Sequence, residues 1–144
     1  MNKVYKSEKD LKHGLLIWSP TVLMLIISVI RISNIIEALN IIPTHLLLFG
    51  SLLFLNFSAF VWFMTEYRIK GGNLIIRFGL FRTFFMKIDN IIEITEVKAS
   101  KRAPALSNNQ ILLKSKTGFE IAISPKDREL FLKDLDKEIS KDIA

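Results

Sequence analysis

No cysteine occurs among the 144 residues, which removes disulfides, thiolate metal sites and cysteine nucleophiles from consideration. Histidine is almost as scarce. His13 and His45 are the only two, and neither belongs to an H-x-x-x-H or H-E-x-x-H spacing that would seat zinc. No serine lies in G-x-S-x-G, and Gly71-Gly72 lacks the spacing and lysine of a phosphate loop. These gaps argue against an enzyme, and no catalytic, cofactor-binding or metal-binding residue is assigned. The most consequential lack is of charge: residues 46–64, LLLFGSLLFLNFSAFVWFM, and residues 15–30 contain no acid or base.

Nineteen residues at about 1.5 Å each make a helix of roughly 28 Å, close to the hydrocarbon thickness of a bilayer. Residues 46–64 therefore predict a membrane span. Pro43 lies just upstream, and Trp62, Phe63 and Tyr67 cluster where the helix leaves the membrane, as in an aromatic belt. Gly50, Ser51, Ser58 and Ala59 offer small surfaces for close helix packing. The first run is shorter and carries Pro20 near its start. Beyond Arg31, the residues Ile32, Ile35, Ile36 and Leu39 keep one helical face apolar, so this helix is expected to continue past the bilayer core. A removed secretory leader is the rival reading, but no A-x-A-like site follows Ile30, and a retained helix is expected. Neither span contains an acid, a base or a paired polar set suited to an ion path, which disfavours a channel or transporter.

Hydrophobic residues make up 50% of the chain and the mean hydropathy is +0.33, an excess that the two spans explain. The net charge of +6 is unevenly spread: +2 over residues 1–13, zero over 14–65 and +4 over 66–144. By the positive-inside rule both ends belong in the cytoplasm and the connector outside. The expected organisation is a basic N-terminus (1–13), a two-helix hairpin (14–65) and a cytoplasmic domain (66–144) of a multi-pass cell-membrane protein. No nucleic-acid-reading motif accompanies the positive charge, so nucleic acid is not an expected partner.

After Met64 the pattern changes to the alternation of half-buried strands. Strands are expected at 67–70, 74–78, 82–88, 91–97, 111–115 and 119–123. Gly71-Gly72-Asn73 turns the first hairpin and Lys116-Thr117-Gly118 the last. Residues 99–109 read as a long polar loop. Ser124, Pro125 and Asp127 then resemble a helix start, with Ser124 as the cap. Phe131, Leu135 and Ile139 at i, i+4 and i+8 give the following helix one apolar face. The fold class is a membrane α-hairpin plus an α+β domain of about six strands and a C-terminal amphipathic helix.

Several of these segments resemble a known family. They are Tyr67-Arg68-Ile69, Leu74-Ile75-Ile76 with Gly79, Ile88-Asp89-Asn90-Ile91, Pro104-Ala105-Leu106-Ser107, and Ile123-Ser124-Pro125-Lys126-Asp127-Arg128 with Phe131. Together they are similar to bacterial pleckstrin-homology-like (PH-like) domains of the YyaB-like type, over about half the chain. The sequence departs at Asn108-Asn109, where the family pattern more often has an apolar residue and an acid. The resemblance implies a PH-like antiparallel sheet or half-barrel closed by a C-terminal helix, and no catalysis.

Binding is the chemistry these residues favour. Lys98, Lys101 and Arg102 crowd the long loop, and with Asn108 and Asn109 they are the candidate membrane or partner contacts. Two readings of the basic residues stand side by side: contact with anionic lipid headgroups, or ordinary solvated strand faces. The expected role is a membrane-anchored, non-catalytic interaction module that binds a protein partner, a second copy or a lipid surface, without a cofactor. The alternative is a self-immunity protein that shields its host membrane against a membrane-active peptide bacteriocin.

Overall fold

The computed structural model describes residues 2–32, 43–80, 82–98 and 104–141. Along the chain these form β1 (Asn2–Lys6), α1 (Leu11–Ile32), α2 (Thr44–Met64), β2 (Glu66–Lys70), β3 (Asn73–Phe78) and β4 (Arg82–Lys87). A short 3-10 turn, Ile88–Asn90, leads to β5 (Ile91–Lys98), β6 (Asn109–Ser115), β7 (Glu120–Ile123) and α3 (Arg128–Lys141). The six expected strands are β2 to β7. The seventh, β1, comes from the segment that composition marks only as a basic tail.

Two antiparallel sheets result, in the orders β1-β2-β3-β4 and β5-β6-β7. β1 lies against β2 in register from Asn2↔Lys70 to Lys6↔Glu66. Gly71 and Gly72 both have positive φ, 54° and 69°, the backbone that a two-residue β2–β3 hairpin needs to match strand twist. Gly79 has φ 63°, and a Cβ there would lie 3.3 Å from the Val61 Cα, so the β3–β4 turn rests directly on the end of α2. Between β5 and β6 the register shifts between Ile91 and Glu93, which leaves Ile92 exposed.

The core lies between the sheets and under α3. Tyr5, Tyr67, Ile69, Leu74, Ile76, Ile111, Leu113, Ile121, Ile123, Phe131 and Leu135 are buried in one cluster, with Leu132 and Ile139 packed against it. The alternation of strands and the i, i+4 spacing of α3 thus deliver their apolar sides to one place. Tyr5 meets Phe131 edge-on, with ring centroids 5.2 Å apart, so the first strand packs on the last helix.

α1 and α2, of 22 and 21 residues, are each a little over 30 Å long. They pack on one another but leave most of their apolar surface open: Leu16 is 73% exposed, Val29 61% and Phe49 60%. Where they touch, hydroxyls meet. Thr21 lies 2.9 Å from Ser58 and Ser28 lies 3.2 Å from Ser51, two rungs seven residues apart. Ser51 and Ser58 were legible as packing residues; their partners on α1 were not, and these pairs qualify the expectation that the spans hold no paired polar set. All four hydroxyls are buried, and Ser28, Ser51 and Ser58 also reach backbone carbonyls, so no ion path follows. The expected continuation of the first helix through Ile35, Ile36 and Leu39 lies outside the described residues.

Candidate functional site

Where the helices enter the sheet, β1 hands over to α1 through Ser7 to Asp10. Asp10 caps α1. Its Oδ1 accepts the His13 amide at 2.8 Å and its carbonyl accepts the Gly14 amide. The other carboxylate oxygen accepts the Asn108 amide at 2.7 Å, and the Asp10 amide donates to the Leu106 carbonyl. Burial pushes the Asp10 carboxyl up, but the bonds from His13 and Asn108 outweigh it and hold the group below the usual carboxylate range. D-x-x-H before an apolar run is the signal that could have found this cap. Asp10→Ala should cost about 2 kcal/mol, the sum of a lost cap and an orphaned Asn108 amide, read as a lowered thermal midpoint of the full chain in detergent.

Lys9, beside it, holds its ammonium 5.2 Å from the Trp62 ring centroid and 4.8 Å from that of Phe63. Trp62 and Phe63 thus lie at the end of α2. Tyr67 does not join them. Its side chain is fully buried, because strand alternation turns it into the domain.

There Tyr67 anchors a knot of polar groups. Its hydroxyl donates to the Pro104 carbonyl at 3.0 Å, accepts the Ser124 amide at 3.1 Å and lies 3.0 Å from Ser7 Oγ. Ser7 and Ser124 hydroxyls are 3.0 Å apart, and both are within reach of the Leu106 amide. Burial raises the Tyr67 pKa above its ordinary value, although the bonds from Ser124 and Ser7 oppose this. The knot corrects two expectations. Ser124 does not cap α3, which begins at Arg128 with the Phe131 amide bonded to the Asp127 carbonyl. A fully buried hydroxyl with partners at hand is held by them and is lost to the helix end. Pro104 to Ser107, read as part of a polar loop, are buried, because their backbone groups are satisfied inside the fold.

The candidate contact residues separate accordingly. Lys98, at the end of β5, is exposed and pairs in register with exposed Asn109 at the start of β6. Asn108 is half-buried and its amide is committed to Asp10. Lys101 and Arg102 lie outside the described residues. Sequence patterning missed Arg128, which joins Lys98, Asn109, Glu96 and Val97 around a polar cavity of about 210 Å³. Its Nη2 lies 3.0 Å from Glu96 Oε1 and 3.4 Å from the Gln110 carbonyl. Its Nε is shielded from solvent and has no partner among the described residues.

His13 and His45 do not share a site: His13 is bonded to Asp10, and His45 is exposed near the start of α2, at the far end of the hairpin. Among the described residues, no three His, Asp or Glu side chains are grouped to hold a metal ion.

No curated protein and no solved structure matches the chain. Residues 65–139 match a family described as bacterial PH domain, whose fold is that of generally non-catalytic binding modules. The matched stretch begins at β2, so the edge strand β1 and both apolar helices precede it. With half its length matched and the sheets and closing helix in place, the chain belongs to the bacterial PH domain family.

Proposed function

We propose that this chain is a membrane-anchored, non-catalytic interaction module, of the YyaB-like type within its family. Its two-helix hairpin spans the cell membrane, and both ends lie in the cytoplasm. The observation that carries this reading is the insertion of two mostly exposed apolar helices between paired strands. A soluble core helix would be covered, whereas Leu15, Leu16, Leu23, Leu52, Leu53 and Phe57 are each at least half exposed. Because β1 pairs with β2, α1 must leave the domain and α2 must return to it at one face, as a hairpin through a bilayer does. The strand that precedes α1 also counts against a removed leader, since cleavage after that helix would strip β1 from its sheet. The net positive charge of residues 1–13 and 66–144, against a net charge of zero over 14–65, favours the cytoplasmic side for both ends.

In this arrangement residues 1–13 and 66–144 form one cytoplasmic body held at the inner leaflet. It presents Lys98, Asn109 and Arg128 to a lipid or protein surface. The full chain should remain in the membrane pellet after alkaline carbonate washing. A reporter fused after Ala144 should be active inside the cell, and one inserted in the 33–42 connector outside. Recovery in the supernatant would sink the anchor; exchanged reporter activities would sink the orientation.

A further inference from the structure

Asn56 sits where hydrocarbon suits it least. It is exposed, on a side of α2 that is otherwise apolar. At about 1.5 Å per residue it lies roughly 18 Å from Thr44 and roughly 12 Å from Met64, near the middle of the span. So short a side chain cannot reach the headgroups from that depth. Hydroxyls in the spans close on their own helices. Ser28 and Ser51 each donate to the carbonyl four residues back, and exposed Ser19 reaches the Leu16 carbonyl. A carboxamide cannot be closed in this way. One Asn56 N–H goes to the Leu52 carbonyl at 2.8 Å, but the second N–H and Oδ1 have no partner among the described residues. No water is at hand there to satisfy them.

Position on the helix selects the partner. Asn56 stands roughly 150° around α2 from Ser51 and Ser58, the residues that meet α1, so α1 cannot supply the missing bonds. Its own face carries Phe49, Leu52, Asn56, Ala59 and Phe63, at alternating steps of three and four residues, the seam of a left-handed helix pair. Phe49, Leu52 and Phe63 are each more than half exposed, and small Ala59 next to Asn56 along the seam lets two backbones approach. Every copy of the chain inserts with one orientation. A two-fold axis along the membrane normal therefore sets α2 parallel to its counterpart, with the two Asn56 side chains at equal depth. There the carboxamide is its own complement: each free N–H donates to the other Oδ1, and all four groups are satisfied together. A different protein would need a matching polar side chain at that depth, whereas a second copy carries one by symmetry. We propose that the face of α2 turned away from α1 is the interface between two copies of this chain, held at Asn56. The proposal rests on the membrane-anchored reading above and names a second copy as the partner.

The test uses the full chain in phosphatidylcholine vesicles, with donor and acceptor fluorophores on a cysteine appended after Ala144. Energy transfer is read against the lipid-to-protein ratio. The wild type should dimerise. Asn56→Leu should weaken the dimer about tenfold while still sedimenting with the vesicles. Asn56→Gln keeps the carboxamide and should keep most of the affinity, a rescue that apolar packing alone would not produce. Because the chain has no cysteine of its own, single cysteines report cleanly. In native membranes Leu52→Cys should crosslink to a second copy on mild oxidation, and Leu55→Cys, about 100° around the helix from Asn56, should not. A wild type monomeric at every ratio, an Asn56→Leu dimer as tight as wild type, or equal crosslinking at both positions would overturn the pairing. So would a Leu52→Cys product at a mass other than twice the chain's 16.6 kDa, which would assign the face to another protein. A wild type that stays with membranes under carbonate yet does not dimerise refutes this pairing alone; one recovered in the supernatant refutes the anchor too.

Discussion

Tyr67→Phe should lower the unfolding free energy of the domain by about 3 kcal/mol, although it removes one oxygen atom. The ring would still fill its place, so no cavity term enters. The loss comes from the groups left behind: the Ser124 amide, the Pro104 carbonyl and the Ser7 hydroxyl, all meeting at that hydroxyl inside the fold. Each buried group without a partner costs about 1–3 kcal/mol, and Ser7 and Ser124 recover part of this by bonding each other at 3.0 Å. For a domain of this size, 3 kcal/mol corresponds to a fall on the order of 15 °C in thermal midpoint. Hydrogen exchange should locate the damage, with the Ser124 and Leu106 amides losing protection first. A midpoint within about 2 °C of wild type, an unfolding change well under 1 kcal/mol, would show that the knot is not a structural keystone.

Asp134→Ala should cost about 2–3 kcal/mol, concentrated on β1. The Asp134 carboxylate is buried on α3 and accepts both the Lys3 ammonium, at 2.6 and 2.8 Å, and the Tyr5 hydroxyl. Those two bonds, from Lys3 first and Tyr5 second, outweigh burial and hold its pKa below the ordinary carboxylate value. Burial, with Asp134 beside it, conversely raises the pKa of Tyr5. The sign of the pH dependence follows. A carboxyl with a depressed folded pKa contributes its full stability above its unfolded value of about 4. That contribution is lost as pH falls from there through the lower folded value. Asp134→Asn should flatten the acid limb of the stability profile, leaving the dependence due to Asp10, whose carboxyl is also depressed. An acid limb identical to wild type would remove the Lys3–Tyr5–Asp134 clip as its cause. Lys3 is 42% exposed, so the clip draws most of its worth from the buried Tyr5 hydroxyl rather than from the ion pair.

Elements whose signal is local could be read directly. Gly71-Gly72 supplies positive φ wherever it sits, strands β2 to β7 carry their own alternation, and α3 carries Phe131 and Leu135 on one face. β1 could not be read this way. Five residues, Asn-Lys-Val-Tyr-Lys, are too few for a period, and the pairing partner lies some sixty residues away beyond both helices. Ser124 misleads for the opposite reason. Its local pattern imitates a helix cap, but buried partners from Ser7, Leu106 and Tyr67 claim it first. Of the candidate contact face, Lys98 and Asn109 were legible as exposed polar residues near a loop. Arg128 was not, because its sequence neighbours are those of a helix start and its cavity is made by β5 and β6.

Composition and periodicity were thus sufficient for two bilayer-length apolar helices and a β-rich domain after them, since each depends on neighbours along the chain. The closing of that domain around the foot of the hairpin was decided in three dimensions. Lys3 of β1 meets Asp134 of α3, and Ser7 meets Ser124 in the Tyr67 knot, each pair more than a hundred positions apart, and a buried hydrogen bond counts distance in space, not along the sequence.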